Sequence, residues 1–202
     1  MGTPLLTDLV VERDPPPNRR GKSDGDKEQH LAEAAVMLAF AMHLFEAHPD
    51  LRHVELHPDG EHGKGFDIRR WLAAQGFRLE RSLGGTSYGG LYRRGDSSIL
   101  VQIRPGLGDV VAEADGQKIV AECKGGVINT RHAGQLSRLR RGLCEAVGLL
   151  MVRGPEGERH VAVVPNTSET ARLAGRMRSR CHAAGIEIAL VEATGAISYA
   201  AA

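Results

Sequence analysis

The 202-residue chain has few aromatic residues, few lysines, few cysteines and no long apolar run. Aromatics make up 4% of it, so the core has to be built from Leu, Val, Ile and Ala, and stacking platforms for unpaired bases are scarce. Cys123, Cys144 and Cys181 are widely spaced and form neither a CxxC zinc signature nor a disulfide ladder. A reduced protein of the cytoplasm is expected. The longest apolar stretch, residues 34–42, is far too short to span a bilayer, so no membrane partner is expected. The opening MGTPLLTDLVVERD lacks the basic-then-apolar order of a secretory signal, and Leu6 stands where myristoylation wants Ser or Thr. There is no Walker A sequence, so any ATP dependence would have to come from a partner.

The formal net charge of +1 excludes a uniformly basic nucleic-acid wrapper and an acidic solvating protein. It also hides an asymmetry. Residues 131–182 carry ten arginines against four glutamates, while residues 1–130 carry 16 basic and 19 acidic groups. Arginine forks match phosphate oxygens bidentately, so the arginine-rich stretch is a candidate phosphate-contacting face.

Hydrophobic periodicity and turn residues predict an α/β chain. Residues 13–29, with three consecutive prolines, read as an extended or mobile linker. A helix is predicted over 27–46. Its apolar middle demands burial on several sides, against the main domain or a partner subunit. Glu33 is its one internal acid and reads as an exposed first-turn residue favoured by the helix dipole. Residues 49–65 read as loop or hairpin. His53, Glu55 and His57 share one strand face there, with His48, Asp59, Glu61 and His62 nearby. The spacing is not that of a zinc site and reads as a polar strand and turn. A second helix is predicted over 66–75. Strands follow at 77–83, 91–94, 98–104, 109–114 and 118–124, the last two joined by an Asp115–Gly116 turn. Then come a helix over 132–146, strands at 149–152 and 160–164, a helix over 167–184 and a strand at 186–191. Strands first, then β-α-β alternation, imply a mixed sheet flanked by helices.

The chemistry concentrates in PGLGDVVAEADGQKIVAECKGG, residues 105–126. Strand alternation puts Glu122 and Lys124 on one face and Cys123 on the other. The hairpin returns Glu122 beside Asp109, so two carboxylates and an amine converge. Carboxylate oxygens, with the backbone carbonyl of Cys123, suit a hard cation such as Mg²⁺. Such an ion polarises a phosphodiester and lowers the pKa of bound water. A lysine beside it orients or deprotonates that water and stabilises charge developing on phosphorus.

This stretch resembles the PD-(D/E)xK nuclease motif. The resemblance implies a restriction-endonuclease-like core: a helix, a mixed four-stranded sheet and a second helix. It implies DNA hydrolysis, less often RNA hydrolysis, with Mg²⁺ and with Mn²⁺ as a substitute. Asp109 matches the first metal-binding acid, Glu122 the second and Lys124 the catalytic lysine. Gly108 stands in place of the motif's proline. Residues 63–77, GKGFDIRRWLAAQGF, are similar to the first helix of Mrr-like and Holliday-junction-resolvase-like members, with Asp67 matching its acid. GQLSRLRRGLCEAVG resembles the second core helix, with Gln135 matching a glutamine near the site. Mrr-like enzymes often have QxK where this chain has ExK, so their modified-DNA specificity does not carry over. The resemblance covers residues 63–165.

The expected organisation is a flexible N-terminal segment and linker (1–29), a helix and hairpin or loop extension (30–62) and a nuclease-like domain (63–202). The expected partners are DNA, bound through Arg131, Arg138 and Arg141, a second copy of the chain in a homodimer, and a larger restriction, defence or repair complex. The competing expectations are an RNA nuclease, a nucleic-acid-binding subunit with a nuclease fold, or an unrelated structural α/β domain.

Overall fold

Helix α1 (Glu33–Ala47) is apolar nearly all round, and the fold buries it on almost every side. Ala34 to Met42 and Leu44 are all inaccessible, covered within the chain. The computed structural model describes residues 6, 8–58, 65–153 and 157–200. Among these, no helix is long and apolar enough to cross a membrane.

A nine-stranded mixed sheet lies over α1. Its strands are β3 (His53–Leu56), β4 (Arg78–Ser82), β5 (Gly90–Arg94), β6 (Ser97–Val101), β7 (Val110–Ala114), β8 (Gln117–Cys123), β10 (Glu158–Pro165), β11 (Ile186–Val191) and β12 (Ile197–Tyr199). The order is β12-β11-β10-β8-β7-β3-β6-β5-β4. The pairs β3–β6, β8–β10 and β10–β11 are parallel, and the others are antiparallel. Helices α3 (Ala133–Met151) and α4 (Ser168–Ala183) cover the face opposite α1. The alternation along β10 shows this: Val161 and Val163 join the α1 core, while Ala162 and Val164 join the cluster of α3 and α4. Helix α2 (Ile68–Ala74) packs on β4.

These strand directions bring the C-terminal ends of β3, β6, β8, β10 and β11 to one end of the sheet. The loops 83–89 and 102–109 also lie at that end, where open α/β sheets present their ligand sites. The Asp115–Gly116 turn sits at the opposite end, with φ of 53° and 74°, the doubly positive pair of a type I′ hairpin.

Several elements differ from the sequence reading. The predicted linker is ordered, with β1 (Val10–Arg13) and a short 3-10 turn (Pro17–Arg19). Residues 28–31, read as helix, form strand β2 (Glu28–Leu31). A three-stranded sheet joins β1, β2 and β9 (Gly126–Val127). Arg19 holds this segment by a bidentate pair with Glu28, at 2.6 and 2.9 Å, and Glu28 is only 1% exposed. A buried carboxylate needs such a partner, and the pairing ties down a polar stretch that composition alone would leave loose. Residues 149–152, read as a strand, are the end of α3 and its cap. Leu143, Val147 and Leu150 are buried at helical spacing, while Leu149 and Met151 face solvent. Strand β12 went unread. The expected boundary at residues 62 and 63 lies outside the described residues, as do Asp59, Glu61 and His62. Helix α1 and strand β3 share one core with the later strands.

Candidate active site

The β7–β8 hairpin sets the site. Its register pairs Val110 with Ala121, and Asp109, just before that pair, lies against the end of β8 that carries Glu122. Lys124 follows Glu122 on the same face, one period later. Asp109 is fixed at three atoms. Its N–H donates to Ala121 O at 2.9 Å, its carbonyl accepts from His57 N at 2.9 Å, and its Oδ2 accepts from Cys123 N at 2.7 Å. Gly108 allows this tight entry. A Cβ there would lie 2.7 Å from Val120 Cγ1 and 2.9 Å from Ala121 O, so neither proline nor alanine fits unchanged.

Cys123 turns its thiol into the core on the α1 side, where burial pushes the thiol pKa well up. Its backbone faces the β7 edge, because Lys124 N already donates to Val163 O of β10 at 2.9 Å and ladder direction alternates along a strand. β7 begins only at Val110, so the Cys123 carbonyl points toward the side on which Asp109 lies.

Glu122 is 5% exposed and accepts from Arg153 Nη2 at 2.6 Å. Arg153 follows α3 directly, and its Nε is buried without an acceptor among the described residues. The Lys124 ammonium lies 3.2 Å from Glu145 of α3 and 3.6 Å from Glu33 of α1. Glu33 is therefore a site residue and not an exposed first-turn residue; its side chain is 17% exposed. Gly125 makes this possible. A Cβ there would lie 2.5 Å from both Glu33 N and Leu31 O, so only glycine lets the end of β8 touch the start of α1. Gly142 plays a smaller part on α3, where a Cβ would sit 3.2 Å from Lys124 Cβ.

The electrostatics follow from this packing. Burial pushes the Asp109 carboxyl up to about 7, the nearby Glu122 and Glu33 charges add to the rise, and the Cys123 N–H and Lys124 oppose it. Burial disfavours the Lys124 charge, but Glu33, Glu145 and Asp109 outweigh it and raise its pKa. Lys124 is thus a firm cation at neutral pH.

Asp67 does not join this group. It caps α2, accepting from Arg70 N at 2.9 Å. Gln135 is buried on the sheet-facing side of α3, at 6% exposure. Arg131 is engaged with the N-terminal segment, 3.0 Å from Asp24 and donating to Ser23 O at 3.1 Å. Arg138 and Arg141 are exposed on α3 and have no ion-pair partner among the described residues. His53 and His57 flank Glu55 at 3.8 and 3.6 Å, while their Nδ1 atoms bond to Ser98 Oγ and Arg104 O.

No three His, Cys, Asp or Glu side chains among the described residues stand close enough to hold a metal ion as a group. The donor set nevertheless fits a hard cation that also takes backbone and water oxygens. Asp109, Glu122 and the Cys123 carbonyl would supply its oxygen ligands. Four carboxylates, of Asp109, Glu122, Glu33 and Glu145, face two cations, Lys124 and Arg153.

The hairpin brings Asp109, Glu122 and Lys124 together as strand alternation expects, while Arg153 has no counterpart in the sequence expectations and Glu33 lies at Lys124 instead of facing solvent. The signal for Glu33 was a lone acid at the head of an otherwise apolar helix. No family model, curated protein or solved structure matches the chain.

Proposed function

We propose that the chain is a Mg²⁺-dependent endonuclease of the PD-(D/E)xK type that hydrolyses DNA phosphodiester bonds. The observation that carries this reading is the gathering of Asp109, Glu122 and Lys124 at one end of the β7–β8 hairpin, at the end of the sheet where the parallel strands finish. Support also comes from the surrounding order. Helix α1, strands β3, β7 and β8, helix α3 and strand β10 come in that order along the chain, with α2 and β4 to β6 inserted between β3 and β7 and β9 between β8 and α3, and the strands lie side by side as β3-β7-β8-β10. This order supports the reading, since a restriction-endonuclease-like core is expected to have a helix, a four-stranded mixed sheet and a second helix. In this frame the first core helix is α1, and its acid is Glu33 in place of Asp67.

Asp109, Glu122 and the Cys123 carbonyl would hold Mg²⁺, which supplies phosphodiester polarisation and a more acidic bound water. The chain's own residues do the rest. Cys123 N–H orients the Asp109 carboxylate. Lys124, held charged between Glu33 and Glu145, stabilises negative charge developing on the phosphate and orients the attacking water. Its raised pKa disfavours proton abstraction by this amine. Arg138 and Arg141 border the Glu145 edge of α3 and are placed for sequence-independent phosphate contact. Cutting both strands of a duplex calls for two such centres related by a two-fold axis, so the working form proposed is a homodimer acting in restriction, defence or repair. Because α1 is buried within its own subunit, the dimer surface has to come from other elements.

The test is cleavage of duplex, junction and single-stranded DNA and of RNA in Mg²⁺. Asp109→Ala and Lys124→Ala should each reduce DNA cleavage on the order of a hundredfold or more while the protein stays folded by circular dichroism. Wild-type rates in both variants would overturn the assignment. RNA-only cutting, or tight DNA binding without cutting, would favour the RNA nuclease or the binding subunit.

A further inference from the structure

The sheet order β7-β3-β6 obliges the chain to cross the end of β3 on its way from β6 to β7. Residues 102–109 make that crossing as an arch, and Asp109 is its second foot. We infer that His57, which directly follows β3, is a positioning residue: its imidazole props the arch and thereby fixes where the Asp109 carboxylate meets the metal. The inference rests on the endonuclease reading and deepens it, since Asp109 is there the first metal-binding acid.

Backbone bonds pin both feet of the arch to the end of β3. Gln102 N donates to Leu56 O at 2.8 Å, and His57 N donates to Asp109 O at 2.9 Å. Between the feet, the His57 ring is the support, with its side chain only 11% exposed. Nδ1 lies 3.1 Å from Arg104 O. A carbonyl only accepts, so Nδ1 carries a proton and donates it. Gly106 rests on the same ring. A Cβ there would lie 2.4 Å from Cε1 and Nδ1 and 2.5 Å from Nε2, so this approach requires glycine. The other ring nitrogen is held in turn. Nε2 stands 3.6 Å from Glu55 Oε2, and that oxygen accepts from Gln102 Nε2 at 3.1 Å.

One side chain therefore touches the arch at Arg104 and Gly106, while its own backbone holds Asp109. The chain between Gly106 and Asp109 is too short to absorb slack. Gly108 has no room to shift toward β8, where a Cβ would already meet Ala121 O at 2.9 Å. A metal ligand has to be held to within about 0.5 Å, so a loosened arch is felt first as weaker metal binding. The overall fold depends less on this ring. Val54 and Leu56 are the core residues of β3, and the His57 ring packs under the arch outside that core.

The experiment measures Mn²⁺ binding to the full chain by calorimetry without DNA, and duplex cleavage across a Mg²⁺ series. The binding that Asp109→Ala abolishes defines the ion at the site. His57→Ala should weaken that binding about tenfold and raise the Mg²⁺ midpoint for cleavage by a similar factor, as expected on losing a group that orients a metal ligand. KM for DNA at saturating Mg²⁺ should change less than about twofold, because the prop acts on the metal ligand and not on the strand. His57→Asn keeps a donor for Arg104 O and should restore part of the loss. Gly106→Ala forces the ring aside and should weaken Mn²⁺ binding as His57→Ala does, and the two combined should cost little more than either alone. A wild type that binds Mn²⁺ through Asp109 and cleaves DNA, with His57→Ala unchanged in both metal readouts, would overturn the prop and leave the endonuclease standing. If His57→Ala does not fold, Gly106→Ala decides, and wild-type Mn²⁺ affinity there would equally overturn it. A wild type with neither Asp109-dependent Mn²⁺ binding nor cleavage would overturn both.

Discussion

Arg153 Nη2 lies 2.6 Å from Glu122 Oε1, so the most buried carboxylate of the site is already charge-paired in the folded chain. Breaking such a pair from one side leaves an uncompensated buried charge. Arg153→Met should therefore destabilise the protein by about 2–4 kcal/mol. Adding Glu122→Gln should recover part of that loss, because the orphaned charge is then gone. Urea denaturation of the two single variants and the double variant checks this. A loss below about 1 kcal/mol in Arg153→Met would show that the pair contributes no more than an exposed one.

Asp109 predicts a pH effect of definite sign. Burial raises its folded pKa to about 7, above the ordinary aspartate value. The folded state then holds a proton that the unfolded state releases. Between about pH 4 and 7 the unfolded chain binds fewer protons, so stability falls as pH rises through that window. In metal-free solution the Asp109 contribution should fall by up to about 4 kcal/mol, at about 1.4 kcal/mol per pKa unit. Asp109→Asn keeps an oxygen for the Cys123 N–H and removes the titration. It should flatten the stability–pH curve and leave the variant more stable than wild type at pH 8. Urea melts in EDTA at pH 5 and pH 8 measure both, and a wild-type curve that rises from pH 5 to 8 would contradict the account.

The readable part of this site is local, and the unreadable part depends on distant packing. Asp109, Glu122 and Lys124 lie on two consecutive strands joined by an Asp-Gly turn, and period-two alternation suffices to group them. Glu33 and Lys124 are far apart in sequence. Their approach depends on β2 pairing with β9 and on the missing side chain of Gly125, and neither has a periodic signature. The similarity of residues 63–77 to a nuclease first helix includes an acid ahead of an apolar helix, but the same pattern is what an N-cap produces, and Asp67 is one. Arg153 was hidden behind GLLMV, whose apolar run reads equally well as strand or helix. The fold shows the same division. The αβ alternation after residue 109 was legible, whereas the sheet of β1, β2 and β9 is built from short, long-range pairings of polar segments.

Gly125 gives a direct test of how the site is assembled. A Cβ there meets backbone atoms on both sides, Glu33 N and Leu31 O, and backbone yields less readily than a side-chain end. Gly125→Ala should destabilise by about 1–3 kcal/mol and shift the head of α1 away from Lys124. Because Glu33 is then displaced, cleavage should fall further than the stability loss explains. Gly142→Ala is the control, since its 3.2 Å approach is to the Lys124 side chain, which has room to adjust. Cleavage rates measured well below each variant's unfolding midpoint separate the two effects. Equal, near-wild-type rates in both would remove the Gly125 contact from the assembly of the site.

The arginines of α3 give the last prediction. Along the helix Arg138, Arg141 and Glu145 fall at i, i+3 and i+7, so they share one edge with the residue that pairs with Lys124. Leu139 and Leu143 turn to the sheet, leaving both guanidinium groups in solvent. Neighbouring Arg140 is instead drawn toward Glu169 of α4, 3.6 Å away, and Arg131 toward Asp24. Only Arg138 and Arg141 among these four are thus free to meet a phosphate without breaking an existing pair. Such contacts are independent of base sequence and sensitive to salt. Replacing both by alanine should weaken binding to every duplex about equally and flatten log affinity against log salt by up to about 0.9 for each phosphate no longer held. The folded state should be little affected, because neither side chain has an ion-pair partner among the described residues. Catalysis at saturating DNA should fall far less than in Lys124→Ala. Binding isotherms on two unrelated duplexes across a salt series carry the test, and an unchanged slope on both would remove this edge of α3 from the DNA footprint.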